Sequence, residues 1–363
     1  MAAQTAARSG AAPLVAVVPG DDAAPEAVMA SLSVLQAMDL PIEFDVLPEG
    51  SSLADMPVSE REVFVNERLD AADTVLFGST NGTTPGIQHL RWGHKTYANV
   101  RPVRWQPGFR SPMARPEGLD YVIVRENLED SYVGIMGDAD ALRASGLIGP
   151  RARIAWQGEG RFAAKIITRE GTEKVARFSF ELARKRAAAS GRAPRLTVSA
   201  KTNMLPATDR YFCDIVAEIG AEYPEVRLET FIVDDMAHRL VTRFEELDVL
   251  LLPNLYGDVL SDLAAGTIGG LGLAPSGCFG DRSAYFESAH GTAPDLVGQS
   301  RINPTATLLS AVMMLEYLGL EQAAGRLDRA ISQVYATGRT LTVDQGGTAT
   351  TDEFASAVRD LLN

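Results

Sequence analysis

Short apolar runs of strand length alternate with helix-length segments along the first part of this chain. Runs at 14–18, 44–47 and 74–77 are separated by helical patterns at 25–38 and 59–72. Such alternation predicts an α/β fold with a mainly parallel sheet. Further strands are predicted at 120–124, 195–200, 227–233 and 247–253, and further helices at 173–189, 209–220, 305–318, 321–335 and 351–362.

Size, charge and cysteine content narrow the class of protein. The 363 residues suffice for two domains, and the net charge of −13 argues against nucleic acid or an anionic membrane as a partner. Only two cysteines are present, without metal-ligand spacing, which indicates a reducing, cytoplasmic setting without disulfides. Residues 1–12 lack the apolar core of a secretory signal, and we predict a disordered tail there.

Ionisable residues follow the predicted strands repeatedly. Arg125, Lys201, Asp234 and Asp258 all stand at or just beyond a strand end, and the turn-rich segment 78–86 follows another strand. In α/β proteins ligands bind at the carboxyl ends of the strands, so we expect the functional site there.

Asp258 and Asp262 are four residues apart in a segment predicted to be helical from about Asp258, after a turn marked by Gly257. On a helix the two carboxylates share one face, and their repulsion favours a bound cation. Oxygen ligands without Cys or His suit Mg2+ or Mn2+. The alternative is that Asp258 caps the helix and Asp262 is solvated.

Two stretches carry a specific resemblance. The segment 254–262 with its glycine-rich continuation to 277, and the segment 290–303, resemble the β-decarboxylating dehydrogenases, which include isocitrate, 3-isopropylmalate, homoisocitrate and tartrate/D-malate dehydrogenases. The similarity runs in order and spacing from Val15 onward. It implies a dehydrogenase that uses NAD and a divalent ion, in a homodimer with shared active sites.

The resemblance also implies the architecture. An isopropylmalate-dehydrogenase-like fold has two open α/β domains with a mixed parallel sheet and is not a Rossmann fold, in agreement with the absence of a G-x-G-x-x-G segment after a strand. We expect a large cofactor-binding domain formed by 13–97 and 269–363. The small domain would be 98–268, with the metal site and a dimerisation arm at about 150–169.

The resemblance assigns roles to the residues that match the family motifs. Lys201 would take the hydroxyl proton and Tyr132 would return a proton to carbon, while Asn203 would lie near substrate and nicotinamide. The matching arginines, which would grip the malate carboxylates, are Arg91, Arg101 and Arg125. The matching metal ligands are Asp258, Asp262 and, from the other subunit, Asp234. The matching cofactor residues are His290, Gly291, Thr292, Ala293, Pro294, Asp295, Asn303 and Glu287.

One departure from the family pattern lies in the first loop, where Asp22 and Ala24 replace glycines.

Two further features bear on the choice of cofactor and substrate. Asp295 would repel a 2′-phosphate and so favours NAD. The predicted substituent pocket, which contains Thr83, Thr84, Ile87, Gln88 and His89, is small and polar. It favours D-malate, tartrate or a polar 3-substituted malate. Alternatives are 3-isopropylmalate, isocitrate or homoisocitrate, a malate analogue of a specialised pathway, or a non-catalytic regulatory subunit.

Overall fold

The computed structural model describes residues 12–53, 55–147, 149 and 158–362. Almost all of the predicted disordered tail, and 150–157 of the predicted arm, lie outside the described residues. Of the arm region, 161–163 pairs in antiparallel register with 136–138 to form a small two-stranded sheet.

The predicted strands and helices are present, with most boundaries within two residues of the prediction. The strands are β1 (Leu14–Val18), β2 (Glu43–Val46), β3 (Thr74–Phe77), β4 (Ala98–Arg104), β5 (Asp120–Glu126), β6 (Met136–Asp138), β7 (Arg161–Ala163), β8 (Arg195–Ala200), β9 (Arg227–Ile232), β10 (Val249–Leu252), β11 (Pro275–Phe279) and β12 (Ala284–Ser288). The α-helices are α1 (Ala24–Gln36), α2 (Val58–Ala71), α3 (Ala139–Ala144), α4 (Arg169–Ser190), α5 (Tyr211–Gly220), α6 (Val233–Thr242), α7 (Asn254–Ile268), α8 (Thr305–Tyr317), α9 (Glu321–Thr337) and α10 (Thr351–Asp360).

Ten strands form one sheet in the order β2-β1-β3-β12-β11-β4-β5-β10-β8-β9. The outer pairs are parallel, whereas β12-β11, β11-β4 and β4-β5 are antiparallel. The strands from 14–77 and 275–288 occupy one half of this sheet, and those from 98–252 occupy the other. The strand order therefore follows the two predicted segments, although their independence as domains stays a prediction.

Side chains alternate between the two faces of the sheet, as the strand period requires. Val15 and Val17 pack in one core, whereas Ala16 and Val18 pack in another. Residues that pair across neighbouring strands point to the same face of the sheet. By this criterion, one face is covered by α1, α4, α5, α8, α9 and α10, and the other by α2, α6 and α7. Both faces are thus covered by helices, and the candidate site lies on the face of α2 and α7.

Two further predictions concern the chain as a whole. Cys213 and Cys278 are both buried and free, as expected for a protein without disulfides. Among the described residues, no helix has the length and apolar character needed to cross a membrane.

Candidate active site

Helix α7 begins at Asn254, four residues earlier than predicted, so the expectation that Gly257 marks a turn is wrong. Gly257 lies within the first turn of the helix, against strand β5. A Cβ there would lie 2.7 Å from the Cβ and Cγ atoms of Arg125. Glycine is therefore needed for close approach between helix and strand, and the same contact brings Arg125 onto α7.

The two acids of α7 face two arginines of the sheet. Arg101 Nη1 lies 3.5 Å from one carboxylate oxygen of both Asp258 and Asp262, which confirms that the two acids share a helix face. Arg125 forms an ion pair with Asp258 and donates from Nε to Asn254 Oδ1 at 2.9 Å. Burial and, to a smaller extent, the charge of Arg101 together lower the pKa of Arg125 to about 10.

Tyr132 completes this group. Its hydroxyl donates to Asp258 Oδ2 at 2.9 Å, and the Arg125 guanidinium lies over its ring, 5.4 Å from the centroid. Burial raises the pKa of Tyr132, and the hydrogen bond to Asp258 raises it further. The phenol is therefore held in its protonated form.

Arg91 lies on a π-helical turn, His89–Gly93, that leads into β4. Its Nε and Nη2 atoms both donate to Asn127 Oδ1, at 3.0 and 2.6 Å. The neighbouring Trp92 donates from its indole nitrogen to the Leu128 carbonyl at 3.2 Å. Strand β5 and the loop after it therefore anchor the turn that presents Arg91.

Lys201 and Asp234 form a separate pair. Lys201 Nζ donates to Asp234 Oδ1 at 2.5 Å, and both groups, like Asn203, are accessible to solvent. In the part of the chain that the structure describes, no hydrogen bond or ion pair joins this pair to Asp258 or Asp262. One chain thus presents the predicted residues as two groups.

The predicted cofactor loop contains an unsatisfied ring nitrogen. His290 Nδ1 lies 2.8 Å from the Gly291 carbonyl, so Nδ1 donates and Nε2 is left as an acceptor. That Nε2 atom is buried and lacks a hydrogen-bond partner in the structure. Burial lowers the pKa of His290 and keeps the ring neutral. An acceptor of this kind fits the amino group of an adenine.

The remaining predicted cofactor residues differ in their exposure and in whether their polar atoms already have hydrogen-bond partners. Asp295 is exposed, and Ala293 before it has a left-handed φ of +51°. Asn303 is buried, with its amide donating to Tyr335 and Asp344 and its oxygen accepting from Thr305 N. Glu287 lies on β12, where burial raises its pKa against the opposing charge of Arg91.

The atypical first loop connects the predicted substrate and cofactor segments. Asp22 adopts a φ of +53°, which aspartate tolerates better than most residues. Its carboxylate accepts from Thr292 Oγ1 at 2.5 Å and from Asn81 Nδ2 at 3.1 Å. Asp22 therefore joins the predicted cofactor loop to segment 78–86, a link that a glycine could not make.

The predicted substituent pocket is only partly free to contact a ligand. The Thr84 hydroxyl donates to Asp21 Oδ1 at 2.5 Å, and the residue is buried. Ile87 is half-buried and Gln88 is exposed. The side chains of Ile87 and Gln88 thus remain available to a ligand, whereas the Thr84 hydroxyl already has a hydrogen-bond partner.

Comparison with known proteins identifies the family. A family model described as isocitrate/isopropylmalate dehydrogenase matches residues 14–358. The chain belongs to this family. It is 40% identical over 347 residues to the 3-isopropylmalate/3-methylmalate dehydrogenase of Methanocaldococcus jannaschii, covering 95% of this chain and 97% of that one. It is 38% identical over 362 residues to the isocitrate/homoisocitrate dehydrogenase of Thermus thermophilus, covering 96% and 98%.

A solved structure gives the same result for the fold. The isocitrate dehydrogenase from Methylococcus capsulatus superposes with a TM-score of 0.82 at 30% identity, covering 96% of this chain and 99% of that chain. The predicted family, the isopropylmalate-dehydrogenase-like α/β fold and the class of enzyme, a decarboxylating dehydrogenase, are confirmed.

The acids of α7 have the donor atoms that a divalent ion requires. Asp258 and Asp262 offer only oxygen atoms, the ligands that Mg2+ and Mn2+ prefer. Burial raises the pKa of Asp262, and the charge of Asp258 adds to this rise against the opposing charge of Arg101. Because both acids present only oxygen donors on one helix face, the residues present fit a divalent cation of this kind.

Three site residues were missed by sequence reasoning: Asn127, Asn254 and Ser261. Asn127 binds Arg91, Asn254 binds Arg125, and the Ser261 hydroxyl lies 2.6 Å from Arg101 Nη1. Each predicted arginine thus has at least one neutral partner that orients it. The available signal was position, because Asn127 follows a strand and the other two lie in the stretch with Asp258.

Proposed function

We propose that this dehydrogenase oxidises and decarboxylates a (2R)-hydroxy acid of the malate type, with NAD and Mg2+ or Mn2+. The observation that carries the proposal is the group formed by Arg101, Arg125, Asp258, Asp262 and Tyr132 on one face of the sheet. In a chain with a net charge of −13, such a cluster of arginines is the feature suited to an anionic substrate.

Arg91, Arg101 and Arg125 would bind the substrate carboxylates. Guanidinium groups suit this because they bind bidentately and keep their charge. The Asp258 carboxylate now paired with Arg125 resembles such an anion. A substrate carboxylate would take over these arginine contacts and free Asp258 to bind the divalent ion with Asp262 and with Asp234 of the partner subunit.

Bound NAD would accept a hydride from C2, and the bound ion would polarise the hydroxyl and the adjacent carboxylate. The other steps use the chain's own groups. Lys201 would take the hydroxyl proton, and the β-keto acid would then lose CO2. Tyr132, kept protonated by its raised pKa, would return a proton to the carbon that CO2 has left.

The exposed Asp295 and the free Nε2 atom of His290 support NAD as the cofactor. The separation of the Lys201–Asp234 pair from Asp258 within one chain supports a homodimer with shared sites. An intact set of Lys201, Tyr132 and three aspartates also supports turnover rather than a regulatory role.

The polar, exposed Gln88, three residues before Arg91 in the chain, supports D-malate, tartrate or a polar 3-substituted malate as substrate. A second candidate is a malate with a small alkyl group at C3. It is supported by the half-buried Ile87, which is apolar, and by the 40% identity to a protein named 3-isopropylmalate/3-methylmalate dehydrogenase.

The test is NADH formation with Mn2+ across D-malate, L- and meso-tartrate, 3-methylmalate, isopropylmalate, isocitrate and homoisocitrate. We expect the highest kcat/KM for one of the first four acids, and loss of activity with EDTA. A preference for isocitrate or homoisocitrate would contradict the proposed substrate class. Inactivity on every acid would contradict the proposed function.

A further inference from the structure

At the π-helical turn that carries Arg91, two histidines point at one carboxylate. His89 Nε2 and His94 Nε2 each lie 2.7 Å from Asp70 Oδ1, and their ring centroids are 4.8 Å apart. Asp70 is on α2, and the histidines begin and follow the π-helical turn. The three potential ligand atoms all lie within 4.8 Å of one another.

This is the donor set of a borderline transition metal. Two imidazoles and a carboxylate suit Zn2+, Co2+ or Ni2+, whereas Mg2+ and Mn2+ prefer oxygen alone. Zn–N and Zn–O bonds of about 2.1 Å would place tetrahedral ligand atoms about 3.4 Å apart. The present 2.7 Å contacts therefore need to open by less than 1 Å.

The side chains have room for that movement. Exposure is 54% for the Asp70 side chain, 27% for His89 and 20% for His94. Burial favours a higher pKa for Asp70, but hydrogen bonds from the two histidines outweigh it and lower the pKa. Asp70 is consequently an anion at neutral pH, as a metal ligand must be.

We propose that Asp70, His89 and His94 bind a transition-metal ion of the Zn2+ class, at a site separate from the acids of α7. Among the described residues, this is the one group of three such side chains whose ligand atoms come close enough. Water would occupy the fourth position.

A metal at this site would join α2 to the turn that carries Arg91. Arg91 is two residues from His89, so the ion would restrict the segment from which Arg91 reaches Asn127. This consequence for substrate binding rests on the proposed function. Binding of the ion does not.

The experiment is a Co2+ titration of the full chain, without an affinity tag, in excess Mg2+. Mg2+ would occupy the proposed oxygen-only site, and Co2+ bound tetrahedrally by nitrogen gives strong visible absorption that octahedral Co2+ lacks. We expect one Co2+ per chain with such a band, and its loss when Zn2+ is added. His89→Gln and His94→Gln should each abolish the band.

His238→Gln is the matched control, because His238 lies on α6 and contacts Thr242 instead. It should keep the band. Circular dichroism verifies folding of each variant, and Asp70→Asn, at a more exposed position, provides a second route if His94→Gln does not fold. The proposal would be overturned if the wild-type chain gave no such Co2+ band. It would also be overturned if the band persisted in both His89→Gln and Asp70→Asn.

Asp258→Asn separates this result from the proposed function. The variant should lose dehydrogenase activity and keep the Co2+ band, since Asp258 is not one of the three ligands. Loss of the band in Asp258→Asn with unchanged circular dichroism would mean that the ion binds in the active site, which would overturn the separate site.

Discussion

The Tyr132 hydroxyl lies 2.9 Å from the Asp258 carboxylate, while its side chain remains partly accessible. Tyr132→Phe keeps the ring over Arg125 and removes only the acid. Because general acid catalysis contributes about 10²- to 10⁴-fold, we expect kcat to fall by that factor with little change in Tm. Steady-state kinetics test this, with Tyr211→Phe as a similarly exposed control. A near-normal kcat would exclude Tyr132 as the acid.

Asp295 gives a prediction about cofactor choice. It is exposed on the predicted adenosine loop, where its charge would repel a 2′-phosphate. Asp295→Lys replaces repulsion with attraction, so the ratio of kcat/KM for NADP to that for NAD should rise by at least about tenfold, equivalent to about 1.4 kcal/mol. Asp360→Lys makes the same charge change on α10 and should leave the ratio unaltered. An unaltered ratio in Asp295→Lys would place the cofactor elsewhere.

The protonation of one buried residue, Glu126, is expected to make the free energy of unfolding depend on pH. It is buried and accepts backbone N–H bonds from Leu128 and Glu129. Burial raises its pKa from 4.5 to about 7. Between these values the folded state binds more protons, so the free energy of unfolding falls as pH rises, by at most about 1.4 kcal/mol per pH unit.

Glu126→Gln should remove this contribution. Urea unfolding of both proteins between pH 4.5 and 7.5 measures it as a difference in slope, because the other titrating groups are shared. Parallel pH profiles would show that Glu126 does not titrate in this window.

At the scale of elements, the contact between α7 and β5 depends on Gly257. Gly257→Ala places a methyl group 2.7 Å from two Arg125 side-chain atoms near the backbone, which cannot move away easily. We expect a loss of about 1 to 3 kcal/mol in the free energy of unfolding and a higher KM for the hydroxy acid. Gly266→Ala on the same helix meets nothing within 4 Å and should instead stabilise the protein, by up to about 1 kcal/mol. Equal effects of the two substitutions in denaturant unfolding would refute the close-packing argument.

Among the elements that sequence patterns missed are the central strands β4, β11 and β12. They carry polar groups that face the site, among them Asn99, Arg101 and Glu287, and these interrupt the apolar pattern by which the other strands were predicted. Helix α4 also begins earlier than predicted, because the Thr168 hydroxyl caps it by accepting from Gly171 N. The apolar pattern thus fails to predict a strand where the residues serve the site, and it misplaces a helix start that is set by a capping side chain.

For the whole molecule, the division of site residues into two groups predicts intersubunit complementation. Lys201→Met and Asp258→Asn homodimers should both be inactive. In a mixed dimer one shared site would be fully wild type, so random reassociation of the two variants should restore about a quarter of the activity. Activity of the co-refolded mixture measures this, with each variant refolded alone as the control. No recovery, despite heterodimers detected by a size-tagged subunit, would place Lys201 and Asp258 in the same chain's site.

Local patterns in the sequence were enough to predict an α/β chain, the family, and two acids on one face of a helix. These depend on the period of strands and helices and on short motifs, which are properties of neighbouring residues. The tertiary structure decided where α7 begins, which neutral side chains orient the arginines, and that Lys201 pairs with Asp234. Such features arise from contacts between residues far apart in the chain, as Arg101 with Ser261, and periodicity carries no information about those distances.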